Sequence, residues 1–156
     1  MTRINLEKVE LLCQKHLIAE WFEQPRVITL LLKRQGKLGK IPTKFTIQTA
    51  ENPKGGTGHV TFFYNKLSWL RKRYIALMAE MTRRGVKTSD NWNPEIFKPE
   101  YAHLFKSWEP TVEAISLSRQ RICQMIPEKE SFTDEQLCEM VEIAEYSAYI
   151  EKVTAC

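Results

Sequence analysis

Residues 58–84 constrain the fold of this 156-residue chain more than any other stretch. Val60, Phe63, Leu67, Leu70, Tyr74, Leu77 and Met81 recur there at spacings of three or four, which puts them on one face of an α-helix. The pattern predicts a single long helix from about Gly58 to Arg84. Gly85 supplies the stop, and Arg83 and Arg84 sit at the negative end of the helix dipole. Such a stripe is core, and the rest of the chain has to cover it. Lys66 and Arg73, seven residues apart, fall together on another face that is open to solvent or to phosphate.

The remaining stretches fit the same architecture. Leu6, Val9 and Leu12–Cys13 make one short helical face between Asn5 and Gln14. A first long helix is expected from about Lys15, resuming after Pro25 through Val27, Ile28 and Leu30–Leu32 and stopping near Gly36. Pro25 lacks a donor and clashes with the carbonyl of Trp21, so a kink and a full break into two helices are both open. A third helix is expected from Pro110 to about Met125, with Ile115, Ser118 and Ile122 inside. Thr133 and Gln136 form a capping box, with Phe132 and Leu137 as its staple, and predict a last helix to about Lys152. Its apolar stripe is Leu137, Met140, Val141, Ala144 and Ala148. Residues 33–44 are a basic connection, 45–56 are irregular, and 86–109 carry aromatics and prolines without a period, as a loop packed on the helices does. Nothing reads as a strand. The fold class is all-α: one compact domain of three main helices with an added C-terminal helix, divided into a body of residues 1–127 and an acidic extension of 128–156.

Charge narrows the partners. The net +4 conceals 21 Lys and Arg against 11 Asp and Glu in residues 1–127, and 2 against 8 in residues 128–156. A basic body suits a polyanion such as DNA, whose phosphates supply most sequence-independent affinity. Lys33, Arg34, Lys37, Lys40 and Lys44 can track such a backbone. Cys13, Cys123, Cys138 and Cys156 are scattered, without a C-x-x-C pair or a histidine at ligand spacing, so free thiols are expected and a metal is not. No apolar run reaches bilayer length and the polar start has no signal-peptide core, so the expected location is cytoplasmic: nucleoid-associated, or the host cytoplasm for a viral protein. Gly55-Gly56-Thr57-Gly58 lacks the order of a nucleotide-binding loop.

Two features near the start carry chemistry. The chain opens Met1-Thr2-Arg3, and a small second residue lets an aminopeptidase remove Met1 and free the amine of Thr2. An α-amino group titrates near 7.7–8.0 and a lysine near 10.4, so the terminal amine is the readier nucleophile for a sugar C1′. On a helix His16, Glu20 and Glu23 stack at i, i+4 and i+7. A carboxylate there can stabilise a sugar cation or move protons in an elimination.

The residue order adds a resemblance. Met1-Thr2-Arg3-Ile4-Asn5-Leu6, His16-Leu17, Ala19-Glu20, Glu23 and Pro25-Arg26-Val27 resemble the start of the pyrimidine-dimer DNA glycosylase/AP lyases of the endonuclease V type. Gly58-His59-Val60-Thr61-Phe62-Phe63-Tyr64, Lys66-Leu67 and Leu70-Arg71-Lys72-Arg73 continue the likeness to about Arg84, and it returns weakly near Ala114 to Ile122. The resemblance implies helices standing side by side with the N-terminal segment threaded between them. It implies a monomer acting on double-stranded DNA that carries a lesion or an abasic site. The Thr2 amine would attack C1′, expel a damaged pyrimidine of a cyclobutane dimer and support β-elimination, with Glu23 stabilising the cationic sugar. Arg3, His16, Arg26 and Arg121 would hold phosphates and the distorted duplex, with Arg119 the other candidate because that stretch can slide by two residues. No metal or nucleotide cofactor is implied. The chain departs from the family pattern at Phe22, in place of an arginine, at Lys15, in place of a glutamine, and at Trp21, in place of a tyrosine. Phe22 and Lys15 therefore join the candidate DNA contacts. The acidic helix stands where the pattern has a short tail rich in aromatics and lysines.

Overall fold

A computed structural model describes residues 3–155, and every regular element among them is helical. The α-helices are α1 (Gln14–Lys33), α2 (His59–Phe62), α3 (Leu67–Arg83), α4 (Val112–Gln124), α5 (Asp134–Met140) and α6 (Ser147–Thr154), joined by short 3-10 turns. α1 packs on α3, and between them Leu17, Val27, Ile28, Leu31, Leu67, Leu70, Tyr74, Leu77 and Met81 are buried. Of the stripe expected to be core, Phe63, Leu67, Leu70, Tyr74, Leu77 and Met81 are buried and Val60 is half-buried.

α1 runs unbroken through Pro25, so a break into two helices is excluded. Proline removes one donor, yet Trp21, Gln24, Val27 and Ile28 are all buried on either side of it. Continuous packing outweighs one lost backbone bond. Across the surface of α1, Gln24 accepts from Trp92 Nε1 at 3.1 Å and Trp21 Nε1 donates to the Ser89 carbonyl at 3.1 Å. These bonds tie the 86–109 loop down, as its aromatics suggested.

The long helix expected over 58–84 is instead two pieces. α2 tightens into a 3-10 turn, Phe63–Asn65, and the chain bends at Lys66 (φ −126°, ψ 37°) before α3 begins. The cause is three consecutive buried aromatics, Phe62, Phe63 and Tyr64. Neighbours on a straight helix point about 100° apart, so one buried face cannot take three in a row. Lys66 Nζ donates to the Phe62 carbonyl at 2.9 Å and lies 3.8 Å from the Phe62 ring centre, closing the bend. Phe45, His59, Phe62, Phe63 and Trp108 pack edge to face around it, and Trp69 stacks on Phe63. Gly85 (φ +80°) ends α3 as expected, with Val86 N donating to the Met81 carbonyl at 2.9 Å.

The N-terminal segment crosses the interior without regular structure. Ile4, Leu6 and Glu7 are buried, and side chains from four helices take up its backbone groups. Ile4 N donates to His59 Nε2 (2.8 Å), Asn5 N to Glu20 Oε1 (3.2 Å) and Leu6 N to Ser118 Oγ (2.9 Å), while Arg73 donates to the Glu7 carbonyl. Backbone groups inside an all-helical core have no strand to pair with, so side chains must satisfy them.

At the C-terminal end the capping box forms as expected, but the helix it starts ends at Met140. The chain turns at Val141–Ile143 and resumes as a 3-10 turn and α6. Only part of the expected stripe is inside: Met140 is buried, while Val141, Ala144 and Ala148 are exposed. The turn brings in Tyr146, at 1% exposure, which a single straight helix would have directed elsewhere.

Candidate active site

A cleft of about 260 Å³ opens between α1, α4 and the N-terminal segment. Arg3 and Asn5 come from the segment, Lys15, His16, Ala19, Glu20 and Glu23 from α1, and Arg121, Ile122 and Met125 from α4 and its end. Five expected site residues thus meet in one place: Arg3, Lys15, His16, Glu23 and Arg121. Arg26 stands at the edge, exposed, with Nη1 3.1 Å from the Glu23 carboxylate. Phe22 is 62% exposed and follows Lys15 and Ala19 along the same flank of α1, its ring centre 4.8 Å from that of Trp21. Thr2 lies outside the described residues, but Arg3, its neighbour in sequence, lines the cleft.

The three groups stacked on α1 are not equivalent. Glu20 is 2% exposed and its carboxylate is consumed by Arg73 Nε (2.7 Å), Arg73 Nη2 (3.0 Å) and Asn5 N. Glu23 is half-buried and turns toward the cleft, with Arg26 at its outer edge. His16 Nε2 lies 2.9 Å from the Met125 carbonyl, which can only accept, so Nε2 carries the hydrogen. Burial holds the His16 pKa below its ordinary value, the Met125 bond opposing only in part. The ring is therefore neutral at pH 7 and Nδ1 is a bare acceptor, buried and without a hydrogen-bond partner among the described residues.

Arg121 has open hydrogen-bonding capacity in the cleft. Its Nε is buried and without a partner among the described residues. Burial first, then the positive charge of Arg3, pulls its pKa down. Two guanidinium groups repelling one another in a cleft make a place for an anion. Of the two candidate arginines on α4, Arg121 lines the cleft, while Arg119 Nε donates to Glu7 Oε2 at 2.7 Å.

Residues 1–94 match the family model described as pyrimidine dimer DNA glycosylase, and this is more than half of the chain. The chain belongs to that family. At the family level it is a DNA glycosylase whose substrate is damaged DNA. The match contains the whole of α1 and α3, while Arg121 and the α4 wall lie beyond it.

Some of what supports this cleft was not visible in the sequence. Arg73, read as a surface or phosphate-facing residue beside Lys66, is buried against Glu20 and is a structural correction. Seven-residue spacing puts two side chains on one face but does not say whether another element covers it. His59 has no role that the sequence alone reveals. It is 3% exposed, and Nδ1 donates to the Thr46 carbonyl at 2.5 Å while Nε2 accepts from Ile4 N. Burial pushes its pKa down to about 4. A histidine following a left-handed glycine, Gly58 at φ +83°, was the available signal.

Proposed function

We propose that this cleft excises a damaged pyrimidine of a cyclobutane dimer and then nicks the strand, with the Thr2 amine as nucleophile. Removal of Met1 frees that amine, and Arg3, the next residue in sequence, lines the cleft. The amine attacks C1′, the glycosidic bond breaks and the base leaves the sugar with its electron pair and a proton, still joined to the neighbouring pyrimidine through the cyclobutane ring. The amine nitrogen loses its protons as the sugar ring opens, leaving an imine. Loss of the C2′ proton then expels the 3′-phosphate by β-elimination, and water releases the amine.

The cleft residues divide the work. Glu23 places negative charge beside the developing sugar cation. Arg3 and Arg121 take the phosphates flanking the lesion, with Lys15 and Arg26 at the edge. His16, neutral and with Nδ1 bare, serves as an acceptor within the site instead of a phosphate ligand. Phe22, exposed on the same flank between Lys15 and Arg26, stacks on a base unstacked by the distortion. A stacking ring where the family pattern has an arginine also supports a second reading, a different damaged base in the same chemistry.

The observation that carries the proposal is the union of Arg3, Glu23 and Arg121 in one cleft at the end of the N-terminal segment. Borohydride reduction of the protein on abasic-site duplex tests it. The processed protein should be trapped, and protein acetylated at the terminus should not. Glu23→Gln should bind the duplex with nearly wild-type affinity while strand cleavage falls by about a hundredfold or more. Trapping that survives acetylation would assign the nucleophile to a lysine.

A further inference from the structure

The C-terminal extension makes polar contacts that converge on residues 7–12. Gln136 Nε2 donates to the Glu10 carbonyl at 2.9 Å and the Leu12 carbonyl at 3.3 Å, Glu139 pairs with Lys8, and the Tyr146 hydroxyl donates to Glu7 Oε2 at 2.5 Å. Glu7 is the centre of this set. Its carboxylate is 1% exposed and also receives Arg119 Nε (2.7 Å), Arg119 Nη2 (3.3 Å) and Lys8 N (2.8 Å). Each carboxylate oxygen therefore has at least two donors. Arg119 and Tyr146 both lie outside the residues matched to the family.

We propose that Tyr146 is a positioning residue for the reaction: by holding Glu7 it fixes the N-terminal segment, and so the amine, against the cleft. The proposal rests on the reading that the terminal amine is the nucleophile. The four backbone bonds at Ile4, Asn5, Leu6 and Glu7 define one register for the segment. They are single bonds to separate elements, and three of them are about 2.8–3.2 Å amide contacts that solvent can replace if the segment withdraws. The Glu7 carboxylate is a buried side-chain anchor of this segment, because a carboxylate at this depth is tolerated only with its donors in place. Arg119 supplies charge from α4. Tyr146 supplies the remaining hydroxyl and, with Met140, the cover that keeps water away. The extension acts on the far end of the same segment whose near end enters the cleft.

Hydrogen exchange and single-turnover trapping on the full-length, processed protein test this together. Tyr146→Phe keeps the ring and removes the donor. Amide protection of residues 4–8 should fall about tenfold while α3 amides keep theirs. The trapping rate on abasic duplex should fall by about tenfold, with affinity for that duplex unchanged within about twofold. If Tyr146→Phe does not fold, Glu7→Gln, of the same size, should give the same selective pattern. Unchanged protection at residues 4–8, or a loss spread evenly over α1 and α3, would overturn the proposal. So would a wild-type trapping rate in a variant whose segment has lost protection. A wild-type protein that is never trapped removes the amine chemistry, and the exchange pattern then decides on its own whether Tyr146 holds the segment.

Discussion

The interior between α1 and α3 and the cleft between α1 and α4 are built from the same residue types, and they differ in satisfaction. In the interior Arg73 meets both oxygens of Glu20 and the Glu7 carbonyl, so that neither charge has an open direction. In the cleft Arg121 has a buried Nε with no partner among the described residues, with Arg3 as a like-charged neighbour. One helix carries both situations three residues apart, at Glu20 and Glu23. Residue type does not separate interior from cleft here; the degree to which each charge is enclosed by partners does.

The comparison is most exposed to failure at Arg73. Arg73→Met leaves Glu20 buried without its cation and should cost about 3–5 kcal/mol of stability, read by urea denaturation. Arg121→Met should do the reverse. Its fold should be as stable as wild type or slightly more so, while affinity for abasic duplex drops and the salt slope of binding falls by about one. If the two variants lose stability alike, the distinction between saturated and open arginines is wrong.

His59 sharpens the comparison through pH. Its folded pKa of about 4 lies below the ordinary 6.5 of an exposed imidazole, so folding favours the neutral ring. The stability it contributes is complete above pH 6.5 and is lost as pH falls from there through 4. The full loss is roughly 3 kcal/mol. His59→Gln should flatten that part of the stability–pH curve. An unchanged slope would mean that His59 does not hold Ile4 in its neutral form. Lys8 marks the small end of the scale. Its pair with Glu139 is exposed on both sides, so Lys8→Ala should shift stability by less than about 1 kcal/mol.

How far the sequence could be read follows the same division. His16 and Glu23 were legible because they share a helix face, whereas Arg121 came only through the resemblance, since nothing in its own helix pattern separates it from Arg119. The core stripe of α3 was legible through its periodicity. The bend at Lys66 was not, since three consecutive aromatics look apolar at every spacing and the limit on burying them is geometric. Arg73, Glu7 and Tyr146 were not, because pairing across 53 or 139 residues leaves no local pattern. The turn after Met140 hid Tyr146 by breaking a stripe that had looked continuous through Ala148.

The central claim is that the amine next to Arg3 forms the bond to the sugar. The most direct measurement is the position of the covalent link in borohydride-reduced adduct on abasic duplex, read by peptide mass spectrometry of the digested complex. The account predicts that the sugar remnant sits on the N-terminal peptide, at the α-amine of Thr2, with Met1 absent. A remnant on the side chain of Lys15, or of any other lysine, would contradict it.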